Sequence, residues 1–348
     1  METIGSTEGP QQMDEHRTAE HPVPDKRGLK VVALGTAAGP AIRSECAGIA
    51  TAIVVDGAYY LVDFGLGVTR AAHEAGLLGE SLRACFVTHL HSDHVAELPA
   101  YLLWNWGQPV RGFTGLVPIL GPGSADPTAG TVGLAGLVDH VLRGYSYDID
   151  VRIVDEGRPP LYDLVDVREI DLPESAAGAT GESTPAMDPF LVYSDDRVRV
   201  SAILVEHPPI FPAFAFRFDT AYGSVVVSGD TTESDNMARL AADADLLVHE
   251  SVYLDFYRAQ DFAPEFLNHQ LISHTTPEGV GRVATRAGAR RVVLSHLAGV
   301  ATDEQWTAGV RAEYAGPVTV ARPGTVFAVD GTNTLAAAPA GAAVTAST

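Results

Sequence analysis

The chain is short of positive charge. Lysine occurs only at Lys26 and Lys30, and 23 lysines and arginines together face 44 aspartates and glutamates, for a formal net charge of -21 over 348 residues. Nucleic-acid binding is dominated by neutralisation of phosphates and calls for a basic face. An acidic surface repels polyanions at long range, although it leaves room for a local arginine patch. A nucleic-acid partner is therefore not expected. Long hydrophobic runs are also missing: no stretch approaches the roughly 18 apolar residues of a membrane span. Residues 1–16 are polar and acidic, without the basic start and apolar run of a signal peptide. Cysteine is scarce, with Cys46 and Cys85 alone, and Cys85 sits in an apolar run where it serves as a small hydrophobe. A cytoplasmic, disulfide-free protein with no membrane partner is expected.

What the chain does have is apolar content for a sizeable core, 46% of its residues, and one dense stretch, Thr88-His89-Leu90-His91-Ser92-Asp93-His94. Residues 82–87 ahead of it read as a buried strand. Neutral imidazole and carboxylate are the donors that zinc-like divalent metals prefer. His91, Asp93 and His94 are too close in sequence to point at one centre. The stretch therefore divides into His89 with His91 on one metal and Asp93 with His94 on a second.

Residues 1–28 are rich in Glu, Gln, Ser, Thr and Pro without periodicity and read as a disordered leader, and 336–348 as a flexible tail. Between them, 29–335 reads as one domain. Strands are expected over 29–34, 50–55 and 59–62, the last two joined at Asp56-Gly57 in a hairpin, with a helix over 68–78. A helix over 94–104 starts inside the histidine motif, and a short strand spans 117–120. The irregular segment 125–192, with a helical piece at 131–142, reads as a substrate-side insertion carrying one loose loop. Strands follow over 197–204, 214–218, 223–227, 246–248, 292–294, 318–321 and 325–329. Helices are expected over 234–242, 277–287 and 303–313, the second opening with Pro and Glu in its first turn.

His89, His207, Asp230, His249 and His296 each stand at or just beyond the C-terminal end of a short apolar run. In a layered α/β fold such strand ends form the natural crevice for a site. The donor count then closes. One metal takes His89, His91 and His207, a second takes Asp93, His94 and His296, and Asp230 bridges them, leaving each an open position for a shared water. Two metals roughly 3.5–4 Å apart acidify that water and hold both oxygens of a displacement. Zinc is the first expectation, and manganese or iron would accept the same ligands.

These residues resemble the metallo-β-lactamase superfamily over nearly all of 29–329. Thr88 to His94 is similar to its His-x-His-x-Asp-His motif, and Ser228-Gly229-Asp230-Thr231 and Ser295-His296 to its later ligand motifs. The resemblance implies an αββα sandwich. Asp63-Phe64-Gly65 resembles the Asp-x-Gly element, which implies that Asp63 braces a metal histidine from behind. Asp230 stands where true β-lactamases place a cysteine, which points away from antibiotic hydrolysis. Leu247-Val248-His249-Glu250, His274-Thr275-Thr276 and Leu120-Gly121-Pro122-Gly123 are similar to the ribonuclease Z and arylsulfatase-like branch. That likeness implies that His274 stabilises the charged transition state or protonates the leaving group. The alternative for His274 is a loop histidine before a helix. His249 and Glu250 are expected to support the ligands without touching metal. Asp93 and His274 are the residues expected to act in catalysis, Asp93 being a ligand as well. No role is expected for His269.

One departure matters. Bacterial ribonuclease Z enzymes carry a long tRNA-gripping arm between the third histidine and the bridging aspartate, and here only residues 208–229 lie between His207 and Asp230. Trp104, Trp106 and Phe211 are placed either in the wall of an apolar pocket or in ordinary core. The leading expectation is thus a dinuclear metal hydrolase of small phosphodiesters, sulfate esters or related esters. Behind it stand a lactonase or carboxylester hydrolase, then a tRNA 3′ endonuclease, then a metal-binding protein without catalysis. The expected partner is a small-molecule ester, and a homodimer is left open.

Overall fold

The computed structural model describes residues 27–44 and 46–331, so most of the expected leader and all of the expected tail lie outside the described residues. Six strands come first: β1 (Leu29–Gly35), β2 (Ala50–Val55), β3 (Ala58–Val62), β4 (Leu82–Phe86), β5 (Val117–Gly121) and β6 (Val165–Glu169). They lie side by side in chain order. Then β7 (Phe190–Ser194), β8 (Val198–Leu204), β9 (Phe214–Thr220), β10 (Gly223–Val227), β11 (Leu246–Val252), β12 (Val292–Ala298) and β13 (Val318–Val320) form a second sheet, again in chain order. The last strand, β14 (Thr325–Val329), returns to pair with β1. The helices are α1 (Val68–Glu74), α2 (Ser92–Val95), α3 (Leu98–Trp104), α4 (Leu134–Gly144), α5 (Ser146–Asp155), α6 (Asp235–Leu240), α7 (Leu254–Arg258), α8 (Pro264–Ser273), α9 (Pro277–Ala287) and α10 (Asp303–Glu313).

Side chains alternate across each strand, and in β1 to β3 both faces are buried. Val31, Ile53, Tyr60 and Val62 enter the core between the sheets. Val32, Ala52, Tyr59 and Leu61 enter an outer core under α1, α3, α4 and α5. Burial on both faces is why these strands read as continuous apolar runs. Between the sheets, Phe86 of β4 meets Phe216 and Phe218 of β9 at ring separations of 5.3 and 5.2 Å. Helices α6, α9 and α10 cover the far face of the second sheet. The result is an αββα sandwich.

Both sheets share one design. Strands β3 to β6 are parallel, as are β10 to β13, and each parallel half continues into an antiparallel one. Because β8 and β10 are both antiparallel to β9, strands β8, β10, β11 and β12 run the same way. Their C-terminal ends open on one edge of the sandwich, the usual place for a site in such sheets.

The expected helix over 94–104 is broken. Pro99 stands at the start of α3, where it can open a helix but not continue one, since it lacks an N–H and restricts the residue before it. Segment 125–192 is more integral than an insertion: it supplies α4, α5, and an edge strand to each sheet, β6 beside β5 and β7 beside β8. Its second helix, α5, buries only Ile149, so no apolar stripe marks it in the sequence. No helix among the described residues is long and apolar enough to cross a membrane.

The aromatic pocket wall is corrected. Trp106 is fully buried in the outer core. Its indole Nε1 donates to the Pro159 carbonyl at 2.8 Å, and the Arg158 guanidinium lies over its ring at 5.1 Å. Trp104 is 73% exposed at the end of α3. Phe211 packs against the core between the sheets. None of the three lines the histidine cluster: α3 turns its inward face to the outer core, and Phe211 is taken up by the core between the sheets. Trp106→Ala is therefore expected to lower the stability measured by urea unfolding by about 3–5 kcal/mol, the range for large-to-small changes in a packed core.

Candidate metal centre

The histidine motif follows β4 directly, and α2 begins within it at Ser92. That tight reversal turns His89, His91 and His94 toward the ends of the second sheet. His207 arrives after β8, Asp230 after β10 and His296 within β12, two residues before its end. Two of these backbones are bent to deliver their side chains. His296 adopts a left-handed φ of 44°, and Asp63, just after β3, a φ of 64°. Such conformations cost energy in residues with a Cβ and gather at functional sites. Gly229, with φ 59°, makes the same bend before Asp230, where a Cβ would lie 2.8 Å from the Phe214 carbonyl oxygen.

The donors converge in two groups. His89, His91, His207 and Asp230 place one ligand atom each within 4.8 Å of one another, and so do Asp93, His94 and His296. In the first group, His91 Nδ1 lies 3.0 Å from His89 Nε2 and 3.1 Å from His207 Nε2. Asp230 Oδ2 is 3.9 Å from both Nε2 atoms. In the second, Asp93 Oδ2 lies 3.6 Å from His94 Nε2 and 3.4 Å from His296 Nε2. Asp230 reaches this group as well, with Oδ1 3.4 Å from His94 Nε2 and Oδ2 3.3 Å from His296 Nε2. Asp230 thus stands between the groups. The structure brings together all seven residues that the sequence singles out as ligands.

A second layer of contacts aims the rings. His207 Nδ1 donates to the Ser273 carbonyl at 2.8 Å, which leaves Nε2 to face the cluster. Asp63 Oδ2 accepts from His94 Nδ1 at 2.8 Å and from Thr88 Oγ1 at 2.9 Å. With its proton given to Asp63, Thr88 Oγ1 accepts from His89 Nδ1 at 3.1 Å. The Gly39 N–H donates to Asp93 Oδ2 at 2.9 Å. Outer partners of this kind set which nitrogen of a histidine can bind metal. His249 is buried and turns aside, its Nδ1 donating to the Glu250 carbonyl.

The residues fit a cation. His94 Nε2 and Asp230 Oδ1 are buried without a hydrogen-bond partner, which is rare unless something else fills the position. Ring nitrogens 3.0 Å apart repel unless a proton or cation lies between them. Burial holds the His89, His91 and His207 imidazoles below their ordinary range, His207 at about 3, so they are neutral as ligands must be. Burial also opposes charge on Asp230, yet the imidazoles of His296 and His94 outweigh it and hold the carboxyl well below the usual range. For His94, burial opposes protonation and the Asp230 and Asp63 carboxylates override it, raising the imidazole well above its ordinary value. The same field would favour a metal cation in place of that proton. The cluster can bind metal ions.

His274 lies at the edge of the cluster, its ring stacked on His296 at 5.8 Å and 22°. Its Nδ1 is 3.3 Å from Glu250 Oε1, which also accepts from the Thr231 and Thr275 backbone N–H groups. Burial opposes its protonation, and the Glu250 carboxylate with Asp230 and Asp93 behind it outweighs that, raising the imidazole to about 8. With Asp230 and His296 it also makes a third grouping of metal-type donors. The Glu250 contact favours a protonated imidazole there over a metal ligand, which must be neutral.

Two residues near the centre escape sequence reading. His269 sits on α8 with its ring 5.9 Å from His207 and 5.4 Å from His274, and Ser273 holds it from the same helix. Helix α8 buries only Gln270 and Ser273, so it carries no apolar periodicity. Its one sequence signal is Pro264 at the first turn.

The chain matches the family model described as the metallo-beta-lactamase superfamily over residues 44–296. It is 30% identical to a ribonuclease Z of Mycobacterium bovis (strain BCG / Pasteur 1173P2) over 297 residues, 84% of this chain and 95% of the relative. A ribonuclease Z of Mycobacterium avium (strain 104) is 31% identical over 297 residues, 83% of this chain and 94% of the relative. In fold the chain is similar to the metallo-beta-lactamase fold protein YhfI from Bacillus subtilis, with a TM-score of 0.59 and 18% identity over 86% of this chain and 98% of the other. It is similar also to the short form of human tRNase Z, with a TM-score of 0.58 and 21% identity over 86% and 99%. The chain belongs to the metallo-β-lactamase superfamily of metal-dependent hydrolases, on the branch of relatives named ribonuclease Z.

Proposed function

We propose that the protein is a dinuclear metal phosphodiesterase of small substrates, with His89, His91 and His207 on one ion, Asp93, His94 and His296 on the other, and Asp230 between them. The observation that carries this reading is the position of Asp230, whose carboxylate oxygens lie 3.3–3.9 Å from imidazoles of both groups. Zinc suits the nitrogen-rich donor set best, with manganese or iron as substitutes. Bound divalent ions would supply Lewis-acid activation of the phosphoryl group and acidify water near it.

The chain's own groups do the rest. Glu250 keeps a proton on His274, whose Nε2 is the atom from which that proton would pass to the departing alkoxide. Glu250 is itself fixed by the Thr231 and Thr275 N–H groups, so the pair is preorganised. Asp63 and the Ser273 carbonyl keep His94 and His207 aimed inward. The two cysteines are both unpaired, in keeping with a cytoplasmic protein.

The relatives named ribonuclease Z favour a second reading, cleavage of a tRNA 3′ extension. Against it, residues 208–229 hold only a short bend and the β9–β10 hairpin, with no arm to grip a folded RNA. The net charge of -21 also works against a polyanion.

Three outcomes are expected. Elemental analysis should find about two metal equivalents per folded chain, and Asp230→Ala should depress both; one equivalent in wild-type protein would overturn the dinuclear assignment. His274→Ala should retain the metals while turnover falls roughly 10²–10⁴-fold, and an undiminished rate would return His274 to a structural part. In a panel of bis(p-nitrophenyl) phosphate, p-nitrophenyl sulfate, a p-nitrophenyl carboxylester, a lactone and precursor tRNA, the phosphodiester should be hydrolysed fastest and chelator should abolish it. Efficient tRNA trimming without phosphodiester turnover would establish the second reading instead.

A further inference from the structure

A cleft of about 520 Å³ runs along α8 beside the histidine cluster. His269 is the wall they share: it lines the cleft, and its ring lies 6.2 Å from His91 and 5.9 Å from His207. It belongs to none of the groupings of metal-type donors among the described residues. A substrate held at the cluster and extending into the cleft must pass it.

The hydrogen bonding of His269 fixes what it can offer. Ser273 Oγ donates its single proton to the Pro208 carbonyl. It lies 3.0 Å from His269 Nδ1 and, having no second proton, must accept there. His269 therefore carries its proton on Nδ1, and Nε2 presents a lone pair, as a neutral imidazole with one nitrogen committed must. The rest of the cleft agrees in sign. Glu182, Glu206 and Glu265 line it, and among the described residues no lysine or arginine does. Of these, Glu206 Oε1 is engaged by the Thr184 N–H and hydroxyl. Thr232 and Asn268 are the uncharged polar side chains of the lining, and the three carboxylates around it disfavour a phosphate anion there.

We propose that His269 Nε2 is a specificity-determining acceptor for the alcohol portion of the substrate. The cleft then selects phosphodiesters whose alcohol carries a hydrogen-bond donor, an ammonium or a hydroxyl group. This rests on the phosphodiesterase reading for the identity of the reacting bond, while the donor-selecting cleft stands on its own geometry. Ser273 is the positioning residue that sets the tautomer.

The test compares p-nitrophenyl 2-aminoethyl phosphate, p-nitrophenyl 2-hydroxyethyl phosphate and p-nitrophenyl ethyl phosphate on the metal-loaded full chain, read as ratios of kcat/KM. The wild-type protein should prefer at least one donor-bearing ester over the ethyl ester by about tenfold, the worth of one well-made hydrogen bond. The aminoethyl and hydroxyethyl arms tell which donor is read. In His269→Leu the ratio should fall toward one, chiefly through KM. His269→Gln, which keeps an acceptor, should restore part of it, and Ser273→Ala should reduce it by freeing the tautomer. In parallel, 2-aminoethyl phosphate and ethyl phosphate are titrated calorimetrically into wild-type and variant protein. If no ester is turned over, the phosphodiesterase reading fails and this binding ratio alone decides the inference. Equal affinity of wild-type protein for donor-bearing and bare ligands, or a preference that survives both His269→Leu and Ser273→Ala, overturns it.

Discussion

Buried negative charge next to buried imidazole governs this structure. Asp63, Asp93 and Asp230 lie at the C-terminal edge of the sandwich, and the ion-pair partners they show are all histidines. Removing a carboxylate from water is costly unless positive charge or hydrogen bonds replace the solvent. Here each aspartate is matched, Asp63 by Thr88 and His94, Asp93 by the Gly39 N–H and His296, and Asp230 by both histidine groups. The surplus of lone pairs that faces inward is the field a divalent cation satisfies.

The rest of the fold serves that convergence. The interlocked aromatic rings of Phe86, Phe216 and Phe218 fix the spacing between the sheets, and with it the distance between the motif after β4 and the donors that end β8, β10 and β12. Left-handed backbone stands just after β3 at Asp63, just after β10 at Gly229, and inside β12 at His296. Strain of this kind persists only where the surroundings over-determine the backbone, and two fully packed cores do so.

Function divides between the centre and its approach. Of the candidate ligands, His89, His207 and Asp230 follow the ends of β4, β8 and β10 and His296 lies within β12, while Glu250 lies in β11 and His274 directly follows α8, so the candidate centre is held by regular elements, as preorganised electrostatics requires. The approach is built from less regular pieces: the bend at Pro208 and Pro209, helix α8, and Glu182 from the loop before β7. A shared centre with a variable approach is how one fold carries different substrates. This chain's approach is acidic, and between His207 and Asp230 it holds only a short bend and the β9–β10 hairpin.

How much could be read in advance followed from where each signal resides. The seven candidate ligands were legible because metal binding demands particular side chains, and because a strand buried on both faces announces its end as an apolar run that stops. Most strands and α6, α9 and α10 were legible for the same reason. The break between α2 and α3, helix α5, and the edge strands β6 and β7 were not, since a half-exposed element leaves little hydrophobic period. Trp106 shows the limit clearly. An aromatic residue near a motif reads equally as pocket or core, and only the direction of α3 decided for core. His269 shows the converse: its residue type was visible, but its place beside His207 and His274 depends on how α8 crosses the end of the second sheet. Composition and local order thus determined which groups could bind metal, because that chemistry is written in residue types. Tertiary structure decided which of those groups stand together and that His269 borders them, because long-range packing alone sets the direction in which a side chain points.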